Sequence, residues 1–342
     1  MTSSDSPHGP ILITGGAGYV GSHVALALLD AGWPVIVVDD LSRGRRELVP
    51  DEAEFIEGSA GDAAFIKHTL IEHNCRSVMH FAGDIINAQS VREPALYYQR
   101  NTVVSEKFIS ACQAARVSHF IFSSSAAVYG EPANIPANED TPTVPITPYG
   151  TSKLMTEWML RRTAGASDMR YVALRYFNVA GADPNGRSGQ LSQVTTHLIK
   201  AALEVALGRQ HTLKIYGDDY PTPDGTCIRD YIHVSDLAAA HVLALRHLLT
   251  EDSNQVLNCG YGHGYSVREI IDAVAHACGN PVPTTIAARR PGDVARLVAD
   301  GRRLSALFAW TPRYKDLEAI IASAYAWEKS QFITEIDSSE TR

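Results

Sequence analysis

Tyr149 and Lys153 stand four residues apart in "TPYGTSKLMTEWM", residues 147 to 159. Residues at that spacing share one helix face. Tyr149 falls in a Pro-Tyr-Gly turn, and the run from Ser152 to Leu160 keeps a helical apolar rhythm, so the pair sits at the start of a helix. An ammonium beside a phenol favours the phenolate, and desolvation of the lysine pushes the same balance. A tyrosine with an ordinary pKa of about 10 then moves toward being a base at neutral pH. Two residues alone fit a turn tyrosine beside a surface lysine equally well, so the rest of the chain decides.

A third group joins them. "FIFSSSAAVYG", residues 120 to 130, reads as a buried strand ending in serines at the carboxyl edge, where open α/β sheets bind ligands. Ser125 is placed there to hold a substrate hydroxyl beside Tyr149. A second motif, "ILITGGAGYVGSH", runs from strand into helix with Gly15, Gly18 and Gly21 three apart. Such a loop lets backbone amides at a helix N-terminus approach a pyrophosphate without Cβ atoms in the way. The next strand, "WPVIVVDD", ends in Asp39, about 20 residues beyond the glycines, as a dinucleotide site requires. A carboxylate there accepts from a ribose 2'-hydroxyl and repels a 2'-phosphate, which predicts NAD over NADP.

These motifs need a scaffold, and the apolar runs supply one. "PILITG", "WPVIVVDD", "AEFIEG", "RSVMHFAG", "VSHFIFSSS" and "MRYVALRYFN" alternate with helical stretches such as "GYVGSHVALALLDAG" and "ALYYQRNTVVSEKFISACQAA". Near-continuous Val/Ile/Leu strands are buried on both faces, which predicts an α/β fold, a Rossmann-type doubly wound parallel sheet. Beyond residue 176 the chain turns to Gly-, Pro- and Asp-rich loops, "YGDDYPTPDGTCIRDY" among them, broken by helices near 192–207 and 235–249. That texture predicts a smaller, loop-rich substrate domain from 177–230 and 261–342, against a cofactor domain of 1–176. "SNQVLNCG", at 253 to 260, reads as a strand within a segment, 231–260, that returns to the first sheet.

Composition excludes several classes. The 342 residues are 45% hydrophobic and 20% charged, ordinary for a folded chain with one large or two moderate cores. A net charge of −8 leaves only "SRGRRE" as a dense basic run, which argues against nucleic acid. The opening "MTSSDSPHGP" lacks the basic flank and apolar stretch of a signal peptide, and no window nears the roughly 18 apolar residues of a membrane span. A soluble, cytoplasmic protein is expected. Five cysteines without CxxC spacing suit reduced thiols, and thirteen histidines form no HxxxH pair, so no metal site is expected.

Ser125, Tyr149 and Lys153 behind GxxGxxG resemble the extended short-chain dehydrogenase/reductase family. "TGGAGYVGSH", "HFAG", "SSSAAVYG", "PYGTSKLM", "RYFNVAGADP", "YGDDYPTPDGTCIRDYIHVSDLA" and "RRPGD" extend the likeness to its UDP-glucose 4-epimerases over nearly the whole chain. The resemblance implies NAD-dependent inversion at C4 of a UDP-hexose, with Tyr149 exchanging the O4 proton, Ser125 orienting O4, and Lys153 lowering the Tyr149 pKa and bonding the nicotinamide ribose. It further implies that Tyr19, Val20, Asp40, Ser59, Phe81, Ala82, Gly83, Asn101, Ser123 and Tyr176 border the cofactor. Arg229 and Arg290 would bind the diphosphate, a role that bidentate guanidinium donors suit. Asn178, His197, Leu198, Tyr216 and Asp293 match substrate-contact positions, and Leu297 borders the C2 substituent of the sugar. Ile85, Gln89, Ser59 and His197 depart from residues common at those places. A homodimer through two helices per subunit is also implied. Rival readings are a 4-epimerase of another UDP-sugar, a dehydratase and a non-catalytic NAD sensor; Ala126 and Ala127, where dehydratases carry an acid, disfavour the second.

Overall fold

The computed structural model describes residues 9–191 and 197–340, with backbone alone for 332–340. The opening segment 1–8, the predicted helix start at 192–196 and the last two residues of the second domain lie outside the described residues. Thirteen strands are described: β1 Ile11–Thr14, β2 Val35–Asp39, β3 Glu54–Glu57, β4 Ser77–His80, β5 His119–Ser125, β6 Arg170–Tyr176, β7 Asn178–Ala180, β8 Leu213–Tyr216, β9 Ile228–His233, β10 Gln255–Cys259, β11 Gly264–Ser266, β12 Thr284–Ala287 and β13 Arg296–Leu297. The α-helices are α1 Tyr19–Asp30, α2 Ala63–Glu72, α3 Asn87–Arg92, α4 Pro94–Tyr97, α5 Val104–Ala114, α6 Pro148–Ala164, α7 Leu198–Ala206, α8 Val234–Thr250, α9 Val267–Cys278, α10 Arg302–Phe308 and α11 Leu317–Glu340.

Seven parallel strands stand side by side in the order β10-β6-β5-β4-β1-β2-β3. Alternate residues of each strand serve two different cores, as strand geometry requires. Ile11, Ile13, Val35, Val37, Met79, Ile121, Val172 and Leu174 pack with α1, α8 and α10. Leu12, Ile36, Val38, Val78, Phe120, Phe122 and Ala173 pack on the other face with α2, α5 and α6. Helices on both faces explain why the strands read as unbroken apolar runs. Strand order reverses between β1 and β4, and the carboxyl ends of the strands at such a switch point are where open α/β sheets form their ligand crevice.

The smaller part has its own core, built on α7, α9, α11 and β8. Its sheet runs β11-β9-β13, with β7 also paired to β9, and β12 pairs with β8. β10 joins β6 in parallel, and α8 packs against α1. Tyr231, Ile232 and His233, which the sequence reading assigns to the returning segment, pair with β7 in the smaller sheet, so α8 and β10 make the return. The stretch read as helical across 95–115 is interrupted: residues 98–103 form a π-helical turn before α5. Such turns reorient side chains inside a helix, and this one carries Asn101.

Candidate active site

Two features start α6 where the chemistry needs it. Thr147 is its N-cap, its Oγ1 accepting from Gly150 N at 3.1 Å, and Pro148 occupies the first turn. Tyr149 and Lys153 then lie one turn apart on the buried face against β5, 6% and 4% exposed. The Lys153 ammonium donates to Ser123 O at 2.8 Å and lies 5.9 Å from the centre of the Tyr149 ring. Ser125 ends β5 and shares a side-chain hydrogen bond with Tyr149, while its Oγ also accepts from Ala127 N at 3.2 Å. Ser123 Oγ bonds the Tyr176 hydroxyl at the end of β6.

The electrostatics bear on one expectation. Burial pushes the Tyr149 phenol above its ordinary pKa, and the Ser125 hydrogen bond only partly opposes that. Burial also lowers the Lys153 ammonium to about 8. Lys153 donates to a backbone carbonyl, and the protein groups by themselves shift Tyr149 toward the phenol. A further positive charge has to enter the site before the phenol becomes a base at neutral pH.

The residues around the crevice fit a dinucleotide. Gly15 has φ +72°, and a Cβ there would fall 2.6 Å from Ala82 N, so only glycine lets the β1 and β4 loops meet. A Cβ on Gly21 would sit 2.3 Å from Gly15 O, which brings α1 close under the loop. Gly18 caps α1 without a side-chain acceptor, and the first turn, with Tyr19 and Val20, has no acid. Its amide donors and dipole face the loop free for an anion. Asp39 ends β2 buried, accepting from Ala17 N at 3.0 Å and Leu41 N at 2.9 Å. Phe81, Ala82 and Gly83 follow β4, and the Asn101 side chain brackets the backbone of Asp84 beside them. Asp40 and Ser59 bond only within their own loops, to Ser42 and Gly61.

Across the carboxyl edge stand the predicted substrate residues. The Arg290 guanidinium lies 4.6 Å from the Tyr216 ring centre, and its Nε donates to Asp293 at 3.0 Å. His197, ahead of Leu198 at the start of α7, is held neutral by burial, with the nearby Arg290 charge adding to the effect. Asn178 opens β7 and hydrogen-bonds the Tyr231 side chain, which also feels Arg229 and Arg290. Arg229 lies in β9 with its Nη1 donating to Ile228 O at 2.9 Å, and Leu297 pairs with it in register from β13. The Leu297 side chain packs with Ala126 and Phe177, next to Ser125 and Tyr176, which joins the substrate side to the catalytic edge.

Sequence reasoning missed Glu157. It lies one turn beyond Lys153 on the same face, accepts from Ser124 Oγ at 2.5 Å, and forms a buried two-point pair with Arg175 at 2.9 and 2.6 Å. The Tyr149, Lys153, Glu157 spacing was the available signal.

Comparison with known proteins places this arrangement. A model of the NAD dependent epimerase/dehydratase family matches residues 11–260. A UDP-glucose 4-epimerase of Azospirillum brasilense is 52% identical over 330 residues, spanning 96% of this chain and 95% of that protein. The crystal structure of UDP-glucose 4-epimerase from Brucella ovis in complex with NAD is 43% identical, with a TM-score of 0.89 over 93% of this chain and 98% of that one. The structure of UDP-glucose 4-epimerase from Bifidobacterium longum in complex with NAD+ and UDP is 37% identical, with a TM-score of 0.90 over 94% and 98% of the two chains.

Proposed function

From a chain that belongs to the NAD dependent epimerase/dehydratase family, we infer an isomerase that interconverts UDP-glucose and UDP-galactose through a 4-keto sugar. NAD is its cofactor. The observation that carries the reading is the meeting of Ser125, Tyr149 and Lys153 beside the glycine crevice.

When bound, NAD supplies the redox partner for C4 and brings a positive charge to the buried phenol. Gly15, Gly18, Tyr19, Val20 and Gly21 receive its pyrophosphate, and Asp39 a ribose. Asp40, Ser59, Phe81, Ala82, Gly83, Asn101, Ser123 and Tyr176 form the remaining walls. Tyr149 takes the proton from O4 of the sugar and later returns it; Ser125 holds O4 while the proton moves. Lys153, anchored by Ser123, keeps a charge near the phenol and reaches the nicotinamide ribose. Arg229 and Arg290 hold the diphosphate, with Asn178, His197, Leu198, Tyr216 and Asp293 around the uridine and Leu297 against the sugar.

We assign the cofactor half to 1–176 with the segment 231–260, which returns through α8 and β10, its first three residues pairing with β7 of the smaller sheet, and the UDP-sugar half to 177–230 and 261–342. We also place the enzyme in the cytoplasm as a homodimer. Five free cysteines suit a reducing compartment. Among the described residues, no helix is long and apolar enough to cross a membrane. Trp158, 56% exposed on α6 in a groove against α5, supports the dimer through those two helices.

The test incubates the purified protein with UDP-galactose, UDP-N-acetylgalactosamine or UDP-arabinose and identifies each product. UDP-glucose should form from UDP-galactose without net accumulation of NADH absorbance. Accumulation of NADH from UDP-galactose alone would instead mark a dehydrogenase.

A further inference from the structure

The walls of the cofactor crevice are tied to each other by charge. β1 lies between β2 and β4, so the loops after β2 and β4 flank the glycine loop on opposite sides. The loop after β2 folds back onto it: Arg45 N donates to Ala17 O at 2.9 Å, and a Cβ on Gly44 would fall 2.8 Å from both the Ala17 Cβ and an Asp39 carboxylate oxygen. Arg43 is thereby held at one lip. On the other lip, Asn101 fixes Asp84 at both backbone groups, Oδ1 accepting from Asp84 N at 2.8 Å and Nδ2 donating to Asp84 O at 2.9 Å. The two lips meet where Arg43 Nε donates to Asp84 Oδ1 at 3.1 Å.

Resting on the NAD reading above, we propose that the Arg43–Asp84 ion pair is a latch across the mouth of the crevice that sets how long the nucleotide stays bound. Exposed ion pairs usually contribute little, because water screens them and two long side chains must be ordered. This pair differs on one side only. The Asp84 carboxylate is 6% exposed and is clamped through its backbone, and a second cation, Arg100, holds its other oxygen at 3.1 Å. Arg43 and Arg100 are 52% and 51% exposed, so both cations sit at the surface, and Arg43 is the one that reaches across from the opposite lip. A fixed anion facing a movable cation makes a closure that opens without unfolding either wall. Asn101 keeps Asp84 in place while Arg43 swings away. The same pairing engages Arg43, the first of the three arginines, with Arg45 and Arg46, that follow Asp39.

The test measures exchange of bound NAD. The holoenzyme is mixed with excess fluorescent etheno-NAD, and the rate of replacement is followed in the wild type, Arg43→Gln, Arg43→Lys, Asp84→Asn and the Arg43→Gln/Asp84→Asn double variant. Each neutralising single variant should release NAD about three- to tenfold faster, the scale of a partly buried ion pair. The double variant should be no faster than the singles, Arg43→Lys should fall between, and added salt should speed release from the wild type alone. An unchanged rate in Arg43→Gln overturns the latch. Faster release from Arg43→Gln with unchanged or slower release from Asp84→Asn overturns it too, because Arg43 would then bind the nucleotide directly. A wild type that neither carries nor binds NAD removes the cofactor reading itself, which is a different result from variants that match a loaded wild type.

Discussion

At the scale of single residues the site rests on Tyr149. Tyr149→Phe keeps the ring and removes the proton carrier, so turnover of UDP-galactose should fall by roughly 10²- to 10⁴-fold with the fold and NAD content intact. Near-normal turnover in that variant would remove Tyr149 from the mechanism. The same pair of proteins reads the ionisation. Since burial raises the Tyr149 pKa, the nucleotide-free wild type should show no extra tyrosinate absorbance over Tyr149→Phe below the ordinary tyrosine range of about 10. Loading with NAD should bring that ionisation down; if it stays where it was, the cofactor charge does not activate the phenol. Leu297 makes a second case. It is 9% exposed, among Ala126, Phe177 and Val294, a leucine that by itself reads as ordinary core. Against the sugar it should leave UDP-galactose preferred over UDP-N-acetylgalactosamine, crowding by a few methylenes being worth roughly 1 to 3 kcal/mol. The ratio of kcat/KM for the two substrates should narrow in Leu297→Gly and widen in Leu297→Tyr, and a ratio that ignores both changes places specificity elsewhere. Residues inside motifs were legible because their spacing carries the chemistry. Arg43 and Asp84 were not legible as a pair, since the partners are 41 positions apart and no local pattern joins them.

At the scale of elements, the strands that the sequence announced are those buried on both faces. β7, β11 and β13, of two or three residues, are too short to show a period, and their place is set by β9. The π-helical turn at 98–103 is hidden for a related reason: its residues suit any helix, and only the need to aim Asn101 at the β4 loop distinguishes it. What fixes β9 is an inward carboxylate. Asp230, fully buried, accepts from Tyr261 N, Gly262 N and Ala299 N at 3.1, 2.9 and 3.1 Å, while its neighbour Arg229 is partly exposed toward the candidate diphosphate site. Burial raises its carboxyl to about 6, with those three amides opposing the rise. Asp230→Ala leaves three buried donors without an acceptor, so unfolding should become easier by roughly 3 kcal/mol in urea titration. A loss well under 1 kcal/mol would mean that water or a shifted strand replaces the carboxylate.

At the scale of the molecule, the two sides of α6 do different work. Its buried face carries Tyr149, Lys153 and Glu157, and its outer face presents Trp158 beside Met155 and Met159. Trp158→Glu should convert the proposed dimer to monomer in sedimentation while the monomer keeps bound NAD; an unchanged sedimentation coefficient would remove this face as the interface. The order of the chain also matters while it is being made. N-terminal parts fold first as a chain leaves the ribosome, yet β10, the strand that covers β6, comes 79 positions after β6 ends (255 − 176). Between those two moments β6 is a bare edge, and bare edges are where strands of neighbouring chains pair wrongly. β6 carries its own protection for that interval: Arg170 lies at its start, its partner Asp252 not yet made, and a charge on an edge strand discourages foreign pairing. A nascent chain stalled anywhere between 176 and 255 therefore holds six of the seven strands with β6 as an unsealed edge, and a message cut short there should yield a client for chaperones, not a smaller cofactor-binding protein.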